Sequence, residues 1–236
     1  MRIGILANSI PAALRIHTEV KTATDADVFV LLAPAADDSG DELPKHLARF
    51  LVKAGRRKTL ELVSKRAIIR FRKPWHHVET ISQLRALKLD LGLHKSGNIY
   101  RRETIKCFRL GILNAHIGLL PKYRGRSVME WSIVQGDAVG LSVFFVDEGI
   151  DTGERIVLSE IVDVSHCKTI EQAKQYLFDQ DARVYRRAIE RLAQADLHFQ
   201  KNDESGHRYY VMSKLFQGVA EKCLSIGNRK SEIGNS

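Results

Sequence analysis

Cysteine is scarce in this sequence of 236 residues, and long apolar runs are absent. The three cysteines, Cys107, Cys167 and Cys223, lie far apart without a Cys-x-x-Cys pair, which argues against structural zinc and against a disulfide framework. No stretch approaches the roughly 18 apolar residues of a transmembrane helix. The N-terminal apolar run is also too short for a signal peptide. We therefore expect a cytoplasmic protein with no metal site.

Internal repeats and low-complexity tracts are absent as well. The hydrophobic content of 44% is ordinary for a globular protein with a core, and the length fits one large domain with a modest appendage. We predict a main domain at 1–195 and a C-terminal extension at 196–236, whose last dozen residues are expected to be disordered. In the extension, Tyr209 and Tyr210 could stack on a nucleotide base or could dock the tail on the main domain.

Acidic residues are nearly missing from one window. Residues 45–76 contain eleven Lys or Arg and one acid, Glu61, so this window alone carries +10 while the whole chain carries +9. Apolar residues recur there at helical spacing, which predicts two amphipathic helices within a basic segment at 43–73. Such a segment could attract nucleic acid, an anionic lipid surface or a phosphorylated substrate, or it could be a solvated helical face.

Short apolar runs alternate with helical patterns along the rest of the chain. Predicted strands cover 2–7, 27–33, 67–71, 89–94, 109–116, 140–146 and 154–164, and predicted helices cover 11–21, 81–87, 127–136, 169–193 and a C-terminal segment ending at Leu224. This alternation predicts an α/β fold with a mostly parallel sheet, helices on both faces and a short C-terminal helical extension.

Two polar side chains end the strand that leads into "LNAHIGLLPKYRG". Because side chains alternate across a strand, Asn114 and His116 point to the same side, and ligands bind at the carboxyl ends of strands in such sheets. An amide can stabilise an oxyanion while an imidazole handles a proton. Asp151, in the loop of "FFVDEGIDTGERI", could reach His116 from a neighbouring strand and orient it. Two solvated polar groups capping a strand end remain the alternative.

Several separated motifs carry a family resemblance. "DLGLHKSGNIY", "NAHIGLLPKYRG", "EWSIVQGD" and "GLSVFFVDEGIDTG" occur in an order that resembles the folate-dependent formyltransferases, from about residue 88 to 164. The resemblance implies a Rossmann-like formyltransferase fold and an enzyme that moves a formyl group from 10-formyltetrahydrofolate to a primary amine, with no metal. It implies that 1–195 is the catalytic domain.

The resemblance also implies roles for individual residues. Asn114 would polarise the formyl oxygen, His116 would stabilise the tetrahedral intermediate and take part in proton transfer, and Asp151 would organise His116 and a water. The folate would be held largely by backbone groups of two loops: Gly97, Asn98 and Tyr100, and Val146, Asp147, Glu148 and Gly149. Tyr123, Arg124 and Gly125 would lie on the acceptor side. Gly118 departs from the family pattern, which usually has serine there.

The acceptor amine is the open question. No glycine cluster follows the first strand, which argues against a glycinamide ribonucleotide, and few residues remain for the C-terminal barrel domain of methionyl-tRNA formyltransferases. We expect an amino sugar on a nucleotide-linked sugar for surface glycan synthesis, whose diphosphate suits Arg124, Arg126 or part of the basic segment. Alternatives are methionyl-tRNA, a siderophore precursor and a lipid- or carrier-linked amine. Contact of 45–76 with a membrane surface and a homodimer are further expectations.

A different functional class also remains open. The chain could be a non-catalytic folate-binding or partner-binding relative, or a hydrolase that releases formate. Asn114, His116 and Asp151 are all present, which favours catalysis, and no segment matches the regulatory domain that the family's hydrolases add at the N-terminus.

Overall fold

A computed structural model describes residues 1–8, 10–34, 67–194, 197–203 and 205–233, with side chains through residue 226. Most of the basic segment predicted at 43–73 lies outside these ranges, so its two helices stay a prediction. Within the described ranges, no helix has the length and apolar character needed to cross a bilayer. The same ranges contain no group of three His, Cys, Asp or Glu side chains that could hold a metal ion.

The strands form one large sheet and one small one. The large sheet contains β1 (Arg2–Ala7), β2 (Asp27–Leu32), β3 (Ile68–Arg70), β4 (Leu89–Lys95), β5 (Phe108–Ile117), β7 (Gly140–Phe145), β8 (Arg155–Ile161) and β9 (Gln200–Lys201); the small one contains β6 (Tyr123–Gly125) and β10 (His207–Tyr209). The order in the large sheet is β3-β2-β1-β4-β5-β7-β8-β9. The first five of these strands are mutually parallel, and β7, β8 and β9 continue the sheet in antiparallel pairs.

Helices cover both faces of the large sheet. The described helices are α1 (Ile10–Ala23), α2 (Val78–Ala86), α3 (Arg102–Ile105), α4 (Val128–Gln135), α5 (Ile170–Asp179), α6 (Asp181–Leu192) and α7 (Lys214–Ile233). On one face Ile3 and Ile5 share a core with α1 and α6, which pack on each other. On the other face Leu6 packs in a second core with Trp75 and Leu84. The predicted fold class is confirmed, since the central strands are apolar on both sides.

One predicted helix is two helices in the structure. The apolar period from Thr169 to Ala193 predicted a single long helix, and Thr169 does cap its start by accepting a hydrogen bond from the Gln172 amide. However, α5 ends at Asp179, with Gln180 as its C-cap, and α6 starts at Asp181. Asp181 is buried and pairs with Lys95 at the end of β4. The helical spacing of apolar residues continues across the boundary between α5 and α6, so the sequence pattern does not reveal that boundary.

The C-terminal segment contains more secondary structure than its sequence predicted. Its polar stretch supplies β9 to the large sheet and β10 to the small one. The last helix, predicted to end at Leu224, continues to Ile233. Tyr209 docks the segment by stacking on Tyr123, with ring centroids 5.2 Å apart, while Tyr210 stays 69% exposed.

Candidate active site

The predicted site lies where β4 and β5 end side by side. In the sheet register, Asn114 on β5 lies between His94 on β4 and Phe144 on β7. The carboxyl ends of parallel strands leave a crevice at this edge. Among the described residues, none hydrogen-bonds to the Asn114 side-chain amide, so the amide is available to a ligand.

His116 is buried, and both of its ring nitrogens face oxygen atoms. Nε2 lies 2.9 Å from the Tyr123 carbonyl oxygen, and Nδ1 lies 3.5 Å from Asp151 Oδ2. A carbonyl oxygen can only accept, so Nε2 must carry the hydrogen of this bond. The ring edge packs against Phe144, with centroids 6.5 Å apart. His116 can therefore exchange a proton with its surroundings only through Nδ1, on the side of Asp151.

Asp151 sits in a tight loop between β7 and β8. Its φ of 56° is in the left-handed region, which costs a non-glycine residue about 1 kcal/mol or more and is often found at functional sites. The carboxylate accepts a hydrogen bond of 2.9 Å from the Gly125 amide. The side chain is only 11% exposed. Asp151 thus faces His116, which the sequence predicted it could reach, and also the strand that follows the His116 motif.

Gly118 has a steric role in this arrangement. A Cβ atom at this position would lie 2.6 Å from His116 Nε2 and 2.9 Å from the Tyr123 carbonyl oxygen. These are the two atoms of the hydrogen bond that holds the imidazole. The absence of a side chain at Gly118 therefore allows His116 to reach the Tyr123 carbonyl.

Hydrogen bonds of the Tyr100 hydroxyl stabilise the first predicted folate loop. The Tyr100 hydroxyl lies 2.7 Å from Ser96 Oγ and 2.9 Å from His94 Nδ1, and the ring is buried. Burial raises the pKa of Tyr100, which keeps its hydroxyl protonated. Burial and the charge of Lys95 lower the pKa of His94 to about 4. A neutral His94 can accept the Tyr100 hydrogen, and this fixes the loop before Gly97.

The second predicted folate loop, residues 146–149, is closed by short-range contacts. Asp147 accepts hydrogen bonds from the Gly149 amide at 2.9 Å and from the Thr152 hydroxyl at 2.7 Å. Glu148 pairs with Arg102 at 3.1 Å, and the Val146 amide donates to the Ile112 carbonyl. The Asp147 side chain thus holds the loop in a fixed turn beside Asp151.

Cavities open on both sides of the strand edge. Two adjoining cavities of about 230 Å³ each share the lining residues Asn114, Ala115, Ile117 and Phe178. One extends towards Lys95 and Asp181, and the other contains His116, Gly125, Glu130 and Lys174. A third cavity of about 360 Å³ lies beside the first predicted folate loop, lined by Gly97, Asn98 and Tyr100 together with Trp75. The amide of Asn114 is therefore within reach of small molecules.

A family model described as "Formyl transferase" matches residues 45–189, more than half of the chain. The chain belongs to the formyl transferase family. A methionyl-tRNA formyltransferase of Clostridioides difficile (strain 630) is 35% identical over 85 residues, which are 35% of this chain and 28% of that protein. The chain spans less than half the length of the curated methionyl-tRNA formyltransferases that it matches.

Solved structures of formyltransferases share the fold. A 4-N formyltransferase from Francisella tularensis superimposes with a TM-score of 0.62 over 94% of this chain and 87% of that chain, at 14% identity. A formyltransferase from Anoxybacillus kamchatkensis, in complex with a UDP-linked formamido sugar and tetrahydrofolate, gives 0.52 over 89% and 85%, also at 14% identity. The family and fold predicted from the motifs are both confirmed.

Two of the three residues expected on the acceptor side are buried in this member of the formyl transferase family. Gly125 lines a cavity, but Tyr123 is 1% exposed and Arg124 is 8% exposed. Arg124 donates to Asn202 Oδ1 at 3.0 Å and to the Asp203 carbonyl, so its guanidinium is held by the C-terminal segment. Both hydrogen bonds are to protein groups, and the diphosphate contact expected of Arg124 stays a prediction.

Sequence analysis did not place Asn202 or Tyr209 beside the site. Both come from the segment predicted to be a separate extension. Asn202 donates to the Asp151 carbonyl, and the Tyr209 ring stacks on the ring of Tyr123, whose carbonyl binds His116. The polar C-terminal segment has no hydrophobic periodicity that would mark Asn202. The pair of tyrosines was the one feature of its sequence that indicated docking on the main domain.

Proposed function

We propose that this protein transfers a formyl group from 10-formyltetrahydrofolate to a primary amine. The observation that carries the proposal is the arrangement of an unengaged amide, Asn114, beside a buried imidazole, His116, paired with Asp151 at 3.5 Å. An amide donor and an imidazole–carboxylate pair are the groups that acyl-type transfer requires. Family membership and a related structure that contains tetrahydrofolate support the same donor.

The proposed reaction assigns one task to each group. The amine nitrogen attacks the formyl carbon, and the carbonyl electron pair moves to the oxygen. Asn114 stabilises this oxygen by a hydrogen bond, and His116 stabilises it by its positive charge once it is protonated at Nδ1. The carbon–N10 bond then breaks. The proton lost by the amine passes through Nδ1 of His116 and Asp151 and ends on N10 of the folate. His116 and Asp151 therefore return to their starting protonation states at the end of the cycle.

The test combines activity with donor binding. His116→Ala and Asp151→Ala should each lower kcat for formyl transfer by at least about a hundredfold, as expected for loss of an acid–base or oxyanion group. Binding of 5-formyltetrahydrofolate, measured by calorimetry, should persist in both variants. His198→Ala, which changes an exposed histidine outside the site, is the control. If either site variant kept a rate within about threefold of wild type, the catalytic role proposed for that residue would be wrong.

For the acceptor, we favour an amino sugar on a nucleotide-linked sugar. Lysines lie at both ends of the paired cavities: Lys95 pairs with buried Asp181, and Lys174 with buried Glu130. In these ends of the cavities, the carboxylates could accept hydrogen bonds from hydroxyl groups of the acceptor, and the lysines could bind its anionic oxygens. The likeness to the complex with a UDP-linked formamido sugar, which covers most of both chains, is consistent with this choice.

Methionyl-tRNA is the second candidate acceptor, because the curated relatives that match by sequence are methionyl-tRNA formyltransferases. Incubation with 10-formyltetrahydrofolate and either UDP- or dTDP-linked amino sugars or charged initiator tRNA separates the two, with mass spectrometry of the product. Formylation of the sugar and not of the tRNA is expected. The reverse result would assign the tRNA, and formate released without either acceptor would assign a hydrolase.

A further inference from the structure

A single buried asparagine in the C-terminal segment connects the loop of Asp151 with the strand that follows the His116 motif. Asn202 is 5% exposed, and its side-chain amide donates to the carbonyls of Asp151 at 3.0 Å and Gly153 at 2.9 Å. Its backbone amide donates to the Glu154 carbonyl at 2.8 Å. Its Oδ1 accepts from Arg124 at 3.0 Å. All three polar groups named here are therefore used on neighbouring parts of the site.

The strand on the other side is held by the same segment. β10 runs parallel to β6, and the His207 amide donates to the Lys122 carbonyl at 3.2 Å. The Arg126 amide donates to the Tyr209 carbonyl at 3.1 Å. A Cβ at Gly125 would collide with that carbonyl, so the two backbones run in direct contact. The carbonyl of Tyr123 and the amide of Gly125, which bind His116 and Asp151, are thus fixed from outside.

We propose that Asn202 is a positioning residue for the His116–Asp151 pair. Asp151 has a left-handed backbone conformation, which persists only where surrounding contacts hold it. Asn202 supplies such contacts on the carbonyls of Asp151 and Gly153, and it couples them through Arg124 to the strand that supplies the acceptor for His116 Nε2. The Nδ1–carboxylate distance is then set by residue 202, although residue 202 touches neither ring nor carboxylate.

The side-chain chemistry makes this role specific to an amide. Asn202 must donate to two carbonyls and accept from a guanidinium at the same time. An aspartate keeps the acceptor and the size but loses the donor and places a charge against two carbonyl oxygens. Alanine loses both functions. A merely structural anchor would weaken folding and donor binding together, whereas a positioning residue changes the state of His116 in a protein that still folds and binds donor.

The experiment compares Asn202→Asp and Asn202→Ala with Lys201→Ala, an exposed neighbour, in the full chain. Since a small misplacement of catalytic groups is costly, kcat should fall by about tenfold or more in both Asn202 variants. The affinity for 5-formyltetrahydrofolate should stay within about twofold of wild type, because no donor contact is removed. The kcat result rests on the proposed formyl transfer.

A second readout does not depend on that function. In ¹⁵N NMR of the histidine rings, the His116 resonances, assigned by their absence in His116→Ala, should move in Asn202→Asp and stay in Lys201→Ala. Unmoved resonances in folded Asn202→Asp would overturn the inference. So would equal losses of kcat and donor binding without any movement. If the wild type shows no formyl transfer but the resonances move, the proposed function fails and the positioning role stands.

Discussion

The candidate site depends on one small residue as much as on its polar ones. Gly118 occupies a position where the family usually has serine, and the sequence identified this as a departure without a reason. The structure supplies one, because a side chain there would meet both atoms of the hydrogen bond between His116 and the Tyr123 carbonyl. In this protein the His116 ring is therefore held by the Tyr123 carbonyl, and a side chain at position 118 would disrupt that hydrogen bond.

Gly118→Ala should lower kcat by about tenfold or more, since it pushes His116 away from the Tyr123 carbonyl and out of line with Asp151. Steady-state kinetics with the donor at saturation measure the effect. Gly218→Ala is the matched control, because a Cβ at that helical position meets no atom within 4 Å. Wild-type kcat in Gly118→Ala would contradict this account of His116.

The parts of the site that could be predicted are those whose residues lie close together in the sequence or in a recognisable motif. Asn114 and His116 share a strand face, so their juxtaposition follows from strand alternation alone, and Asp151 follows from the motif order. The contacts of Arg124 and Asn202 join residues 78 positions apart, and no pattern near either residue indicates the pairing. Sequence analysis could locate the candidate groups of the site but not the distant residues that contact them.

At the scale of elements, the strands were predictable and the C-terminal segment was not. Buried strands such as β1 and β7 are short apolar runs with turns after them, and this pattern is specific. β6 and β10 are three residues each, too short for any period, and they exist only because they pair with each other. The break between α5 and α6 was hidden because the apolar period continues through it.

The last helix, α7, is tied to α5 through one carboxylate. Both oxygens of Glu221 lie 3.1 Å from the Ile170 amide at the start of α5, where backbone amides lack helical partners. Glu221→Ala should therefore cost about 1 kcal/mol in the free energy of unfolding, and Glu221→Gln, which keeps an acceptor, less than about half of that. Urea denaturation followed by circular dichroism measures both. Equal losses in the two variants would mean that charge, and not the hydrogen bond, makes the contact.

For the whole molecule, the half-buried His94 makes stability depend on pH. Its pKa in the folded protein is about 4, below the ordinary value of 6.5, so the unfolded chain takes up the proton first as the pH falls. The contribution of His94 to stability is fully present above about pH 6.5 and is lost as the pH falls towards about 4. The acid limb of the stability profile should reflect this histidine.

Between pH 7 and pH 4.5, His94→Gln should lose about 2 to 3 kcal/mol less unfolding free energy than the wild type, since the titrating group is gone while the acceptor for Tyr100 remains. Urea unfolding at the two pH values gives the difference. His198→Gln, at an exposed position, should behave as the wild type does. An unchanged pH dependence in His94→Gln would show that other groups dominate the acid limb.

The positions of the two tryptophans give the protein a pair of built-in optical reporters. Trp75 lines the cavity beside the first predicted folate loop, while Trp131 lies against Tyr209 and donates its indole hydrogen to the Tyr210 carbonyl. Fluorescence of a Trp131→Phe variant would follow donor binding through Trp75. Fluorescence of a Trp75→Phe variant would follow release of the C-terminal segment. Occupancy and docking could then be timed separately in the same protein without an added label.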